Sequence, residues 1–111
     1  RQLVITDNAG TTSDEGIQFD NVSGTVSVSN CSVTSSPHNH LFLDNDSGTL
    51  SSLSITNSTF DTTLSGTGNH GILIDANGTA VVSSISISNC TVSNNFSIGM
   101  QILSNGSASI N

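Results

Sequence analysis

Two short strings recur in alternation along this chain, and that alternation constrains its fold more than any other feature. One string reads Gly16-Ile17-Gln18-Phe19-Asp20. It returns as His40-Leu41-Phe42-Leu43-Asp44, Gly71-Ile72-Leu73-Ile74-Asp75 and Gly99-Met100-Gln101-Ile102. The other reads Val26-Ser27-Val28-Ser29-Asn30-Cys31-Ser32-Val33. It returns as Leu53-Ser54-Ile55-Thr56-Asn57-Ser58-Thr59-Phe60 and Ile85-Ser86-Ile87-Ser88-Asn89-Cys90-Thr91-Val92. Degenerate copies of the second string stand at both ends, Leu3-Val4-Ile5-Thr6-Asp7 and Ala108-Ser109-Ile110-Asn111.

Each string alternates apolar and polar residues with period two, which is the strand signature. No segment carries a 3.6-residue period, so helix is not expected. Repeats at a fixed order and a period of 20–50 residues mark solenoids. The period varies where Gly, Ser and Asn cluster, as in Leu64–His70, and insertions in a solenoid fall in such loops. The expectation is one all-β domain over residues 1–111, or a segment of a longer solenoid. It would be a β-helix of about four coils of 23–32 residues, each strand pairing with its equivalent one coil on.

The Gly-Ile-x-Ile/Phe strings followed by Ile-Ser-Ile-Ser-Asn-Cys-Thr-Val strings resemble the right-handed parallel β-helix, or pectin-lyase-like, superfamily. The resemblance covers almost the whole chain. It implies a right-handed coil and a setting among polysaccharide lyases and hydrolases, tailspikes, and surface or adhesin proteins.

Composition narrows the function classes. The chain has 111 residues, no Lys, a single Arg at position 1 and a formal net charge of −7. Nucleic-acid binding needs clustered basic residues and is excluded on that ground. No apolar run approaches the roughly 20 residues of a membrane-spanning helix, so membrane insertion is not expected. Abundant Ser, Thr and Asn with almost no Lys or Arg suits an extracellular or cell-surface protein. Eight Asn-x-Ser/Thr sequons occur, at Asn21, Asn30, Asn45, Asn57, Asn77, Asn89, Asn95 and Asn105, and read mainly as turn chemistry.

Stacking converts each repeat position into a column. Ile17, Leu41, Ile72 and Met100 should form one inward column, with Phe19, Leu43, Ile74 and Ile102 the next. Val26/Leu53/Ile85, Val28/Ile55/Ile87 and Val33/Phe60/Val92 complete the core. Asn30, Asn57 and Asn89 occupy a bend that needs the left-handed conformation Asn tolerates, and their amides could ladder from coil to coil. Cys31, Ser58 and Cys90 share the next column. Two coil rises separate the cysteines by roughly 9–10 Å, beyond the roughly 7 Å Cα separation a disulfide allows. Two free thiols are therefore expected.

Outward positions hold the candidate binding residues. Gln18, Phe42, Leu73 and Gln101 form one column, in which Phe42 and Leu73 could grip the face of a sugar ring between two amides. Asp20, Asp44 and Asp75 end the same strands. Like charges so placed repel, and Ca²⁺, which takes carboxylate and carbonyl oxygens, would relieve them, with Asn21, Asn45 and Asp46 beside the column. Turn chemistry accounts for the same residues without a cation. His38, His40 and His70 read as solvated loop residues rather than metal ligands.

No pair of residues is marked for catalysis. A lyase of the resembled family generally needs a basic residue beside a carboxylate, and the only Arg is terminal. A hydrolase needs two cooperating carboxylates. Asp20, Asp44 and Asp75 could approach the spacing, but nothing sets one apart as an acid. The leading expectation is non-catalytic: a structural stalk, filament subunit or adhesin segment, either cut from a longer solenoid or stacking head to tail into a fibre. The alternative is a carbohydrate-binding module or a fragment of a polysaccharide lyase or hydrolase.

Overall fold

The computed structural model describes residues 3–5, 14–64 and 69–111. Every regular element among them is a β-strand, and no helix is present among the described residues. The first strand is β1 (Leu3–Ile5). A coil follows with β2 (Ile17–Asp20), β3 (Gly24–Ser29) and β4 (Cys31–Thr34). The next holds β5 (Leu41–Asn45), β6 (Thr49–Thr56) and β7 (Thr59–Asp61). A third holds β8 (Ile72–Ala76), β9 (Val81–Val82), β10 (Ile85–Ser88) and β11 (Thr91–Ser93). Then come β12 (Met100–Ser104) and β13 (Ser109–Ile110).

All pairings are parallel and join equivalent strands of successive coils, giving three walls. One wall runs β1-β4-β7-β11 and another β2-β5-β8-β12. The third stacks β3 on β6, then β9 and β10 together on β6, then β13 on β9. The result is a parallel β-solenoid of about three turns.

Three turns rather than four is a correction, and its cause lies in the end strings. Leu3 pairs with Cys31 and Ile5 with Val33, so this string belongs beside the Cys31–Thr34 wall, not beneath Val26. Likewise Ser109 pairs with Val81 and Ile110 with Val82, not with the Ile85 string. Both short strings match two walls equally well in apolar pattern. As further rungs in line with Val26 and Ile85 they would each add a coil; as single strands paired with β4 and β9 they do not.

The inward columns hold in register: Ile17 with Leu41, Ile72 and Met100, and Phe19 with Leu43, Ile74 and Ile102. Leu53 lies between Val26 and Ile85, and Phe60 between Val33 and Val92. Burial is complete in the middle coils, where Leu41, Leu43, Leu53, Ile55, Phe60, Ile72 and Ile74 are sealed from solvent. Each such side chain contributes roughly 1.5–3 kcal/mol. The pattern fades at the last coil, where Met100 and Ile102 are 40% and 44% exposed.

Corners set the coil geometry. Asn30, Asn57 and Asn89 adopt φ of 55°, 50° and 52°, the left-handed conformation that Asn tolerates. The coils are tied there by backbone bonds: Asn30 N–H donates to the Thr56 carbonyl and Asn57 N–H to that of Ser88, both at 3.1 Å. The three Asn side chains are exposed, and no amide-to-amide bond joins them. Cys31, buried, and Cys90, half-buried, are free thiols. Ser58 sits between their rungs, where its hydroxyl accepts the Cys31 N–H at 3.2 Å and donates to the Thr56 carbonyl at 2.8 Å.

Candidate functional site

The β2-β5-β8-β12 wall turns its outward residues into two side-by-side columns. Gln18, Phe42, Leu73 and Gln101 pair in sequence along one. Gln18 is exposed and the other three are half-buried. Phe42 and Leu73 are thus adjacent apolar groups between two amides.

The second column is Asp20, Asp44 and Asp75, and its fourth rung is Leu103. Each carboxylate meets an Asn amide. Asn21 Nδ2 donates to Asp20 Oδ1 at 2.8 Å. Asn77 Nδ2 reaches back one coil to Asp44 Oδ1 at 3.1 Å, and Asn105 Nδ2 does the same to Asp75 Oδ1 at 2.9 Å. Asn105 Nδ2 also donates to Asn77 Oδ1 at 3.0 Å. These donors offset part of the like-charge repulsion. Asp44, in the middle, still has its carboxyl pushed above the usual range. Loss of water is the main cause, and Asp46, Asp75 and Asp20 add to it, while the Asn77 bond opposes.

Asn45 lies next to Asp44 in sequence but points the other way. It is fully buried and pairs both amide atoms with Val22: Oδ1 accepts the Val22 N–H at 2.9 Å and Nδ2 donates to the Val22 carbonyl at 2.7 Å. Asn45 therefore closes the corner between β2 and β3 from inside the solenoid. It is not on the side of the aspartate column. Among the described residues, no group of three or more His, Cys, Asp or Glu side chains is arranged to hold a metal ion.

The histidines depart furthest from expectation. His40 and His70 are buried, not solvated. They belong to a polar corner between β4 and β5 that recurs from coil to coil. Glu15 accepts the Asn39 N–H at 2.7 Å and pairs with His38 Nδ1 at 2.6 Å. Asn39 Oδ1 in turn accepts the His70 N–H at 2.8 Å and contacts His70 Nδ1 at 2.9 Å. Asn69, buried, donates to the carbonyls of Pro37 and Leu64 at 2.8 and 2.6 Å. His40 Nδ1 lies 2.8 Å from Ser36 Oγ, and both residues are sealed from solvent. One signal in the sequence did mark this site: His40 stands where the other coils carry Gly16, Gly71 and Gly99. A bulky ring in a glycine position must be housed by its own packing. Residues 65–68 of the neighbouring loop lie outside the described residues.

Comparison with family models, with curated proteins and with solved structures finds no match.

Proposed function

We propose that this chain is a non-catalytic structural unit, a β-solenoid segment serving as a stalk, filament subunit or adhesin module outside the cell. The observation that supports it most is the face formed by the last coil. Met100 and Ile102 continue columns that are sealed one coil below, yet stand 40% and 44% exposed. Phe96 and Ile98 beside them are 61% and 42% exposed. Strands β11, β12 and β13 are each paired on one side only. A further coil laid on this face would bury the apolar columns and pair the free strand edges, the situation that solenoid caps otherwise manage. The next coil of a longer solenoid would supply it, and so would head-to-tail stacking of subunits, whose repetition would give an open filament.

Sedimentation velocity of the chain across a wide concentration range tests this. The expected result is growth of large species with concentration, abolished by Ile102→Lys. A wild-type chain that stays monomeric throughout, with the variant indistinguishable from it, would refute a stacking role.

A second reading rests on the Phe42–Leu73 pair. Flanked by Gln18 and Gln101, with Asp44 and Asp75 alongside, it suits a sugar ring, as in a carbohydrate-binding module or an enzyme fragment related to the pectin-lyase-like superfamily. Retardation in polysaccharide affinity gels, lost in Phe42→Ala, would favour it. Equal mobility of both proteins in every gel would remove it.

A further inference from the structure

We propose that the His40 corner is a pH-sensitive latch on the coil stack, closed while the ring is neutral and opened when the ring takes a second proton.

Geometry makes the case. The His40 ring is wholly buried. Its Nδ1 is engaged with Ser36 Oγ, and its Nε2 has no hydrogen-bond partner. A protonated ring carries two N–H donors. The second would have only Asp61 to meet it, too little to offset the loss of water, and a buried charge so placed is strongly disfavoured. The backbone of the same residue ties three coils. Its N–H donates to the His70 carbonyl at 3.1 Å, and its carbonyl accepts the Ile17 N–H at 2.8 Å. Swinging the ring out to water therefore works directly against the bonds that hold β2, β5 and β8 in register at this corner.

The charged and titratable groups around His40 come from each neighbouring element. Asp61, at the end of β7, favours the protonated ring through its charge and its backbone. Glu15, ahead of β2, is committed to His38 and Asn39. His70, ahead of β8, sits on Asn39. Loss of water outweighs the help from Asp61 and lowers the His40 pKa from 6.5 to about 4. The closed state thus binds fewer protons than the open one below neutrality. Its advantage is full above the ordinary value of 6.5 and drains away as the pH falls from there to about 4.

Amide hydrogen exchange on the intact chain, corrected for intrinsic rates, reads the latch. From about pH 7.5 to about pH 4.5, protection of the Ile17, His40 and Leu41 amides should fall roughly 70-fold, as follows from those two proton affinities. In His40→Gln, which cannot take the proton, this acid-specific loss should vanish. If that variant fails to fold, the ring's own titration in the wild-type chain, followed by NMR, decides: a midpoint far below 6.5 is expected. A ring that titrates near its ordinary value overturns the latch, as does a pH loss unchanged in His40→Gln.

Discussion

Replacing Asn45 by Ala isolates one side chain that locks a corner from within. Asn45 is sealed from solvent, and its amide satisfies both the N–H and the carbonyl of Val22 at 2.9 and 2.7 Å. Truncation deletes both bonds and leaves two backbone groups of a half-buried residue without partners. A typical intramolecular hydrogen bond contributes about 1 kcal/mol net, and an unmet buried group costs about 1–3 kcal/mol. Two groups together, with some access to water at Val22, put the loss at about 2–4 kcal/mol. That is a large share of the stability of a domain this size, on the order of 5–15 kcal/mol. Urea unfolding of both proteins measures it as a lower midpoint at unchanged slope. Asn45→Asp sharpens the comparison. Its carboxylate still accepts the Val22 N–H but sets a second oxygen against the Val22 carbonyl, so at neutral pH it should be at least as damaging as Ala. Lowering the pH should recover part of that loss, because a protonated carboxyl can donate where Nδ2 did. An Asn45→Ala midpoint within error of the wild type would refute the reasoning, since the corner would then not depend on these bonds.

Other outcomes follow from the same structure. Gly71→Ala should destabilise by several kcal/mol or prevent folding, because its Cβ would lie 2.3 Å from Val92 Cγ1 and 2.5 Å from the Gly99 carbonyl oxygen; thermal unfolding by circular dichroism measures it. Phe60→Ala, which empties the largest sealed side chain of the core, should cost about 3–5 kcal/mol in urea unfolding. Asp44→Asn should raise the urea midpoint at neutral pH. The folded carboxyl is pushed up, so its charged form weighs against the fold above the ordinary carboxylate range. That burden disappears as the pH falls through the range, and the two proteins should converge in acid.

The walls were legible in the sequence because an alternating pattern with a fixed order has few ways to fold. Register of the central coils followed from matching Ile17 to Leu41 and Val26 to Leu53, where four or more residues agree. It failed at Leu3–Ile5 and Ser109–Ile110, where three residues or fewer carry no information about which wall they join. The outward columns were legible for the same reason as the inward ones. The roles of individual polar residues were not. Asn45 and Asn77 are the same residue type in similar Asn-Asp/Gly turns, yet one is sealed inside on Val22 and the other clamps Asp44 on the outside. Which way each points depends on a single step of strand alternation. Polarity in a loop suggests solvation for His40, whereas Ser36 and the recurring corner of Asn39, Asn69 and His70 supply interior partners.

The direction of the interstrand bonds has a mechanical consequence. In stacked parallel strands they lie across the strands, and hence along the stacking axis. A tensile load along that axis passes through each coil interface in series, shared within each by up to three walls. A series of joints yields at its shortest. The joint of β3 on β6 spans the six residues Gly24–Ser29; β12 and β13 hold the coil below through five and two, and β1 grips β4 through three, Leu3–Ile5, on one wall alone. Pulled end to end, the described coils should part at β1 first, then at β12 and β13, and the middle of the stack should give way last.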